Sequence, residues 1–408
     1  MVFGGEIRTL FQFTKHCFHS KMKSLEKPVS KKYDEYCNFI GEDKVQKERF
    51  IVDDSYFKRS LEMSVTIDYI ARMANVSKAT VSRVINNKAE GVGKETRARV
   101  QQVIEEYGYK PNLLARGIAT SHTKIIGLVI PDITNPFFPA MIKAIENYTS
   151  KHGYTVILCD TDSSKEKEKQ CISMLIANRV DGIILDTVLE EQQSISYDFS
   201  KYGIPCVLID RKNKGLNYGA GIFVDNEYAF YIAAELLILH GNERIAFIQG
   251  PTDLSTTRER LDGYFSALKQ YGLKKVPELV IPGSFTYESG YNAIIQLYEK
   301  EVPFTAVLAS NDIMAFGALK ALRDIGRKVP DEVEVIGFDN VQFSEIVDPP
   351  LTTLDQPLYD MGNKAAEAII SLIEGRRLSE VNIRMEAKLV MRKSTRAEVR
   401  DRRKEKNL

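Results

Sequence analysis

The rhythm of apolar and polar positions changes twice along this chain. Residues 1–62 show neither sustained helical nor strand periodicity and mix Phe and Tyr with charge runs such as GEDKVQKER. From Ser64 to Tyr109 the spacing is helical. Thr66 is placed to cap a first short helix, IDYIARMA, with Ile67, Ile70 and Ala71 on one face. Asn75-Val76 makes a turn. Ser77 then caps a second helix, KATVSRVINN, whose Val81, Val84 and Ile85 point inward. A third, KETRARVQQVIEEYGY, carries Val100, Val103 and Ile104 on one side and ends near Gly108. Its cap is Gly93, a weaker choice than Ser or Asp. Three short helices with a tight turn between the first two form a helix-turn-helix pattern. Pro111-Asn112 breaks the third helix, and the short apolar LLARGIA follows between basic residues.

After Lys124 strands alternate with helices. IIGLVIP, TVILCD, GIILD, CVLID, RIAFIQ, AVLAS and EVIGF are short, β-branched-rich runs ending mostly in polar residues. Between them lie amphipathic stretches such as PAMIKAIENYTSKHG and EKEKQCISMLIANR. Continuous apolar strands between such helices predict doubly wound parallel sheets covered on both faces. In these folds ligands bind at the carboxyl ends of the strands. About 270 residues is long for one such sheet, so two lobes with a cleft are expected.

Charge separates the same segments. Ser64–Lys124 holds ten Lys/Arg against five Asp/Glu, Ile125–Met391 holds 26 against 37, and Arg392–Leu408 holds eight against three. A basic helical module on an acidic body is the layout of a nucleic-acid binder with a separate second function. No apolar run approaches the ~20 residues of a membrane helix, so no membrane partner is expected. The N-terminal MVFGGEIRTLFQFTKH lacks the basic, apolar and small-residue regions of a secretory signal. Cys17, Cys37, Cys159, Cys171 and Cys206 are scattered without a CxxC pair, and the five His are scattered too. These patterns predict neither metal nor disulfide framework and a cytoplasmic location.

Enzymatic motifs are missing. GVGKET fails the phosphate-loop spacing, since Lys88 stands where the first Gly belongs and Glu95 follows the Lys. There is no GxGxxG after a strand and no GxSxG, and the strand-end Asp residues have no His or Cys nucleophile arrangement beside them. Neither enzyme activity nor a cofactor is expected. The second helix offers the sharper chemistry. In a helix-turn-helix its first residues, here Lys78 and Ala79, meet base edges, with Ser82 and Arg83 one turn on. Arg takes guanine in bidentate fashion, Ala meets a thymine methyl, and Thr80 or Ser82 binds phosphate.

VTIDYIARMANVSKATVSRVINNK, ETRARVQQVIEEYGYKPNLLARGIAT, TKIIGLVIPDITNPFFPAM, VDGIIL, RIAFIQGP, ASNDIMAFGALKAL, EVIGFDN and PPLTTLDQP occur in this order. Together they resemble the repressors of the lactose/galactose (LacI-type) family, over roughly Ser64 to Arg396. That family usually begins just before the VTI-type segment. Residues 1–62 are therefore expected to be a poorly ordered extension, with Met63 a candidate start.

The resemblance implies a helix-turn-helix domain over 63–109, a hinge helix over 110–123, a two-lobed core over 124–396 and a basic tail over 397–408. The core is like that of periplasmic binding proteins. Operator contacts are implied at Thr66, Ser77, Lys78, Ala79, Thr80, Ser82, Arg83 and Asn86, and in the hinge at Asn112, Ala115, Arg116 and Ile118. Ile118 stands where a Leu usually wedges into the minor groove. The implied partners are a pseudo-palindromic operator and a second copy of the chain. No heptad repeat closes the chain, which favours a dimer over a tetramer.

Asn135, Phe137, Phe138, Asp210, Arg211, Arg260, Phe285, Asn311, Asp339 and Gln356 are similar to the constellation of ribose-binding proteins and ribose-operon repressors. The chemistry suits a pyranose, whose ring faces pack on Phe and whose hydroxyls divide between carboxylates, amides and guanidinium forks. Taken singly, each position is better explained, by about two to one, as a helix cap or a core residue. Their shared place at strand ends is what favours a ligand. Three alternatives stay open: a catabolite regulator using a phosphocarrier protein as corepressor, a repressor for another sugar or nucleoside, and a sugar-binding transport component. The basic helical head argues against the last.

Overall fold

The structure is a computed structural model that describes residues 65–85, 91–109, 122–189, 199–213 and 215–397. It divides into a helical unit within Met1–Arg116 and an α/β unit within Gly117–Leu408. No helix among the described residues is long and apolar enough to cross a membrane.

The helical unit contains α1 (Ile67–Met73), α2 (Lys78–Ile85) and α3 (Lys94–Glu106). The Thr66 side chain accepts from the Tyr69 N–H at 3.3 Å, and Ser77 Oγ accepts from the Thr80 N–H at 3.1 Å, so both expected caps form. Gly93 precedes α3 without a side-chain cap. Ile70, Ala71, Val81, Val84, Val100 and Val103 make the buried core, with Ile67, Ile85 and Ile104 packed at its edge. Arg99 Nε donates to the Ala74 carbonyl at 3.0 Å and ties α3 to the turn between the first two helices.

The α/β unit holds two six-stranded sheets. The first lobe uses β1 (Ile125–Ile130), β2 (Thr155–Asp160), β3 (Gly182–Leu185), β4 (Cys206–Ile209), β5 (Ala220–Val224) and β11 (Asn382–Met385), in the order β11-β5-β4-β3-β1-β2. The second uses β6 (Ile245–Gln249), β7 (Val280–Pro282), β8 (Ala306–Ala309), β9 (Glu334–Asp339), β10 (Thr352–Asp355) and β12 (Lys388–Val390), in the order β12-β10-β9-β8-β6-β7. The two orders repeat one winding, and among the described residues only the β10–β12 pair is antiparallel. β3, β4 and β8 are buried along their whole length, which is why their sequences read as unbroken apolar runs, whereas β9, equally buried, carries Glu334 and Asp339 at its two ends.

The chain crosses between lobes three times: from β5 into α6 (Asn226–Leu239), from β10 into α10 (Leu358–Ile373), and from β11 to β12. The remaining helices are α4 (Phe138–Lys151) and α5 (Lys165–Ala177) in the first lobe. The second has α7 (Ser255–Gln270), α8 (Tyr287–Glu299) and α9 (Asp312–Asp324). α8 and α9 cross through glycines: a Cβ on Gly290 would run into the Met314 carbonyl, and one on Gly317 into that of Tyr287. Gly→Ala inside a helix ordinarily stabilises. Here backbone blocks the methyl, so Gly290→Ala is expected to destabilise by about 1–3 kcal/mol. The check is a lower urea midpoint at unchanged slope.

Candidate functional site

On the helical unit, Thr66, Ser77, Lys78, Ala79 and Arg83 are exposed, and Thr80 and Ser82 are half-buried. The second helix thus presents the residues expected to meet bases, while Val81 and Val84 hold it from behind. Thr80 Oγ1 lies 2.9 Å from Ser77 Oγ, and Lys78 Nζ lies 2.6 Å from Asp68 Oδ1. Both pairs are solvent-exposed, so exchanging them for phosphate contacts costs little. Asn86, Asn112, Ala115, Arg116 and Ile118 lie outside the described residues. Arg83→Ala touches no core residue, and is expected to weaken specific DNA binding by about 1–3 kcal/mol. Fluorescence anisotropy on an operator duplex reads this. Thermal stability and sugar binding should be unchanged.

The second site forms between the lobes at the carboxyl ends of the strands. Asn135 and Phe137 stand between β1 and α4, Phe138 opens α4, Asp210 and Arg211 follow β4, and Arg260 projects from α7. Phe285 follows β7, Asn311 precedes α9 and Asp339 ends β9. These nine of the ten expected residues line one cleft, joined by Thr256. Gln356 stands one step back, donating through Nε2 to Asp339 Oδ1 at 2.7 Å. The cleft encloses about 30 Å³ of free volume, which suits a water-sized group. A ligand much larger than water needs the lobes to part.

Local geometry explains why these residues face inward. Asp210 (φ 62°), Phe285 (φ 62°) and Asp339 (φ 119°) all take left-handed backbone that non-glycine residues avoid. Such strain is held where the surroundings over-determine the turn. The Phe285 ring occupies the space that a Cβ on Gly250 would need, which explains the glycine in IQGP. Phe137 and Phe138 meet edge to face with ring centroids 4.9 Å apart. Asn311 acts as a cap, its Oδ1 accepting from the Met314 N–H at 2.9 Å, whereas Asn135 closes an Asx turn ahead of α4, its Oδ1 accepting from the Phe137 N–H at 3.0 Å. That turn leaves the Asn135 amide NH₂ for other work, and the Asn311 amide donates to the Phe285 carbonyl at 3.3 Å.

Arg260 is the centre of the site. Its Nε donates to Asn226 Oδ1 and its Nη1 to the Ser310 carbonyl, both at 2.8 Å. The guanidinium carbon lies 4.3 Å from the Phe338 ring centroid and 5.9 Å from that of Phe285. Burial pulls the Arg260 pKa below its ordinary value, against the opposing pull of Asp210 and Asp339. Asp210 is held high by burial, against Arg260 and Arg211. Asp339 is held high by burial and by the nearby Asp312. Asp210 Oδ1, Gln356 Oε1, Ser310 Oγ and Thr257 Oγ1 are buried without a hydrogen-bond partner. Buried acceptors and hydroxyls left unmet beside a guanidinium and three aromatic rings suit a small polyhydroxylated ligand.

Several residues of this region were not singled out by sequence reasoning. Asp186, past the end of β3, lies 3.6 Å from Arg211 Nε, and burial raises its carboxyl pKa well above the ordinary value. Glu168, fully buried on α5, accepts from Thr187 Oγ1 at 2.9 Å and the Val188 N–H at 2.7 Å and so fixes the loop beneath Arg211. Asp312 accepts from Thr353 Oγ1, Ser344 Oγ and the Val341 N–H, and burial lifts its pKa to about 6 despite those bonds. The aspartate ending GIILD is a visible strand-end signal. Glu168 lies inside a charge-rich helix and gives none. No cluster of metal-ligating side chains occurs among the described residues.

Comparison with known proteins decides the family. Residues 66–112 match the model for bacterial regulatory proteins of the lacI family, and residues 123–393 match periplasmic binding proteins and the sugar-binding domain of the LacI family. The chain belongs to the LacI family. This LacI-family protein is a DNA-binding transcriptional repressor that responds to a sugar, and its homologues are regulators rather than enzymes. It is 34% identical to the HTH-type transcriptional repressor CytR of Escherichia coli K12 over 343 residues, covering 82% of this chain and 98% of that one. It is also 34% identical to the ribose operon repressor of Halalkalibacterium halodurans over 331 residues, covering 81% and 97%. Among solved structures, the lac repressor dimer bound to operator and the anti-inducer ONPF aligns with TM-score 0.74 at 28% identity, covering 82% of this chain and 99% of that chain.

Proposed function

We propose that this repressor acts as a cytoplasmic homodimer on a pseudo-palindromic operator and is released from it by ribose bound in the cleft. The observation that carries the reading is the convergence on Arg260: Asp210 and Asp339 from opposite lobes, Asn311, and Phe137, Phe138 and Phe285 line the same closed cleft. Rings on the apolar side and paired acceptors with a fork donor on the other match the two faces and hydroxyl girdle of a pyranose. The resemblance to a ribose operon repressor supports the same sugar. On the DNA side, Lys78, Ala79, Ser82 and Arg83 enter the major groove. The hinge segment with Asn112, Ala115, Arg116 and Ile118 meets the minor groove. Closing the cleft on sugar turns the lobes, so the paired hinges lose the spacing that both wedges need. Domain limits at 63–109, 110–123 and 124–396 belong to this proposal.

The test is a thermal-unfolding panel with ribose, arabinose, xylose, galactose, glucose and ribose 5-phosphate, read by calorimetry because the chain has no Trp. A ligand at 100 times its Kd adds about 2.7 kcal/mol, which raises the midpoint by a few degrees. Ribose alone is expected to do so. A shift with a different sugar discards ribose and keeps the repressor. No shift with any sugar favours a phosphocarrier protein as corepressor.

A further inference from the structure

Three polar contacts join the lobes along the cleft. Lys212, two residues after Asp210, donates its backbone N–H to Ser255 Oγ at the start of α7 at 3.0 Å. Its Nζ lies 2.5 Å from Glu259 Oε1, one helical turn further along α7. Lys165, opening α5, lies 3.9 Å from Asp253 in the facing loop. The other oxygen of Glu259 accepts from Asn226 Nδ2 at 3.1 Å, and Asn226 Oδ1 accepts from Arg260 Nε at 2.8 Å. Asn226 opens α6 where the chain first crosses between lobes, and its amide also reaches the Val224 carbonyl at the end of β5. One carboxylate therefore links a cation of the first lobe to the residue that orients the central arginine.

We propose that Glu259 is a positioning residue that couples lobe closure to effector capture. It latches Lys212 across the cleft and, through Asn226, sets the Arg260 guanidinium. The proposal rests on reading the cleft as the effector site. Opening the lobes separates Lys212 from Glu259 and Ser255 together, so the ion pair and the backbone bond break in one motion. The Lys212 and Glu259 side chains are 32% and 26% exposed, so the pair is weakened by salt but not erased by it. A neutral sugar brings no charge of its own, so a salt dependence of its affinity comes from ion pairs of the protein that form on closure.

The test compares the full chain with Glu259→Gln, Lys212→Met and the double variant. Gln keeps a hydrogen-bonding partner for Asn226 while removing the charge. Hydrogen exchange of the protein without sugar reads the peptide covering residues 206–213. Each single variant is expected to speed exchange of that peptide by about 2–5-fold, the range of a partly exposed ion pair. The double variant should go no further than either single one. Where the panel identifies a sugar, the same variants should lose about 2–5-fold in affinity. They should also lose the salt dependence that the wild type shows. A merely structural role would move stability without moving this salt dependence. Exchange equal to wild type in both single variants overturns the proposal, as do losses that add in the double variant. Exchange needs no sugar, so a wrong effector leaves the latch measurable.

Discussion

Arg260→Met is expected to abolish the response to sugar while leaving operator binding intact, giving a repressor locked on its DNA. Met retains much of the apolar stem that packs beside Phe338 and Phe285 but removes every donor of the guanidinium. Asn226 Oδ1 and the Ser310 carbonyl then lose their partners, and Asp210 and Asp339 lose the cation between them. Hydrogen bonds from a charged donor are worth about 1.5–3 kcal/mol each, and the Arg260 guanidinium gives two. The sugar affinity should therefore fall by at least about 30-fold, read by calorimetry. The variant should also unfold at a lower temperature, because two buried carboxylates have lost their counter-ion. Burial already holds both carboxyls above the ordinary carboxylate pKa, and losing the nearby cation pushes them further up. The helical unit has its own core and keeps its fold. Sugar affinity within a few-fold of wild type would remove Arg260 from the centre of the site.

The largest stability loss is expected far from the ligand, at Glu334. This fully buried carboxylate opens β9 and accepts from His240 Nδ1 at 2.7 Å and Asn242 Nδ2 at 2.5 Å. It also takes the Arg396 backbone N–H at 2.8 Å and the Arg396 guanidinium at 2.5 Å. Four donors from two chain segments, residues 240–242 and Arg396, converge on two oxygens and pin the returning C-terminal segment to the second lobe. Glu334→Ala leaves all four unmet and is expected to cost about 3–5 kcal/mol. Burial alone would raise the Glu334 pKa, but the bonds from Arg396, Asn242 and His240 outweigh it and hold the carboxyl below its ordinary 4.5. A lowered folded-state pKa gives stability that is present above the unfolded-state value and lost as pH falls through the folded one. The gap between wild type and Glu334→Ala should thus be constant near neutrality and narrow in acid below pH 4.5. Chemical denaturation at a series of pH values reads both effects. A gap independent of pH would mean that the carboxylate charge contributes nothing.

The sequence is most legible where one physical demand dominates. Strands buried on both faces, such as GIIL and AVLA, read as apolar runs, and the helical unit is written in its caps and its 3.6-residue spacing. β5, β7, β10, β11 and β12 escape that reading. TTLD has three buried positions out of four yet only one apolar residue, because Thr352 and Thr353 bond to Thr395 and Asp312. NIRM and KLV are partly exposed strands at sheet edges, where charge is tolerated. The cleft follows the same logic. Asp210, Asp339 and Asn311 sit at strand ends and are visible there. Glu168, Asn226 and Glu259 act through hydrogen bonds to residues 20 to 47 positions away, and no local pattern marks them. The cysteines, scattered in sequence, show the same effect: Cys159 and Cys171 come within hydrogen-bond reach between β2 and α5, and burial raises the Cys159 thiol to about 11.

The most direct test of the account is operator affinity with and without ribose. A duplex selected from random sequence on the full chain, followed by fluorescence anisotropy, gives both constants. Binding should weaken steeply with salt, as phosphate contacts require. Saturating ribose should lower operator affinity by about 5–150-fold, the range of ~1–3 kcal/mol of coupling between two sites. Ribose that binds the protein but leaves operator affinity unchanged would contradict the account.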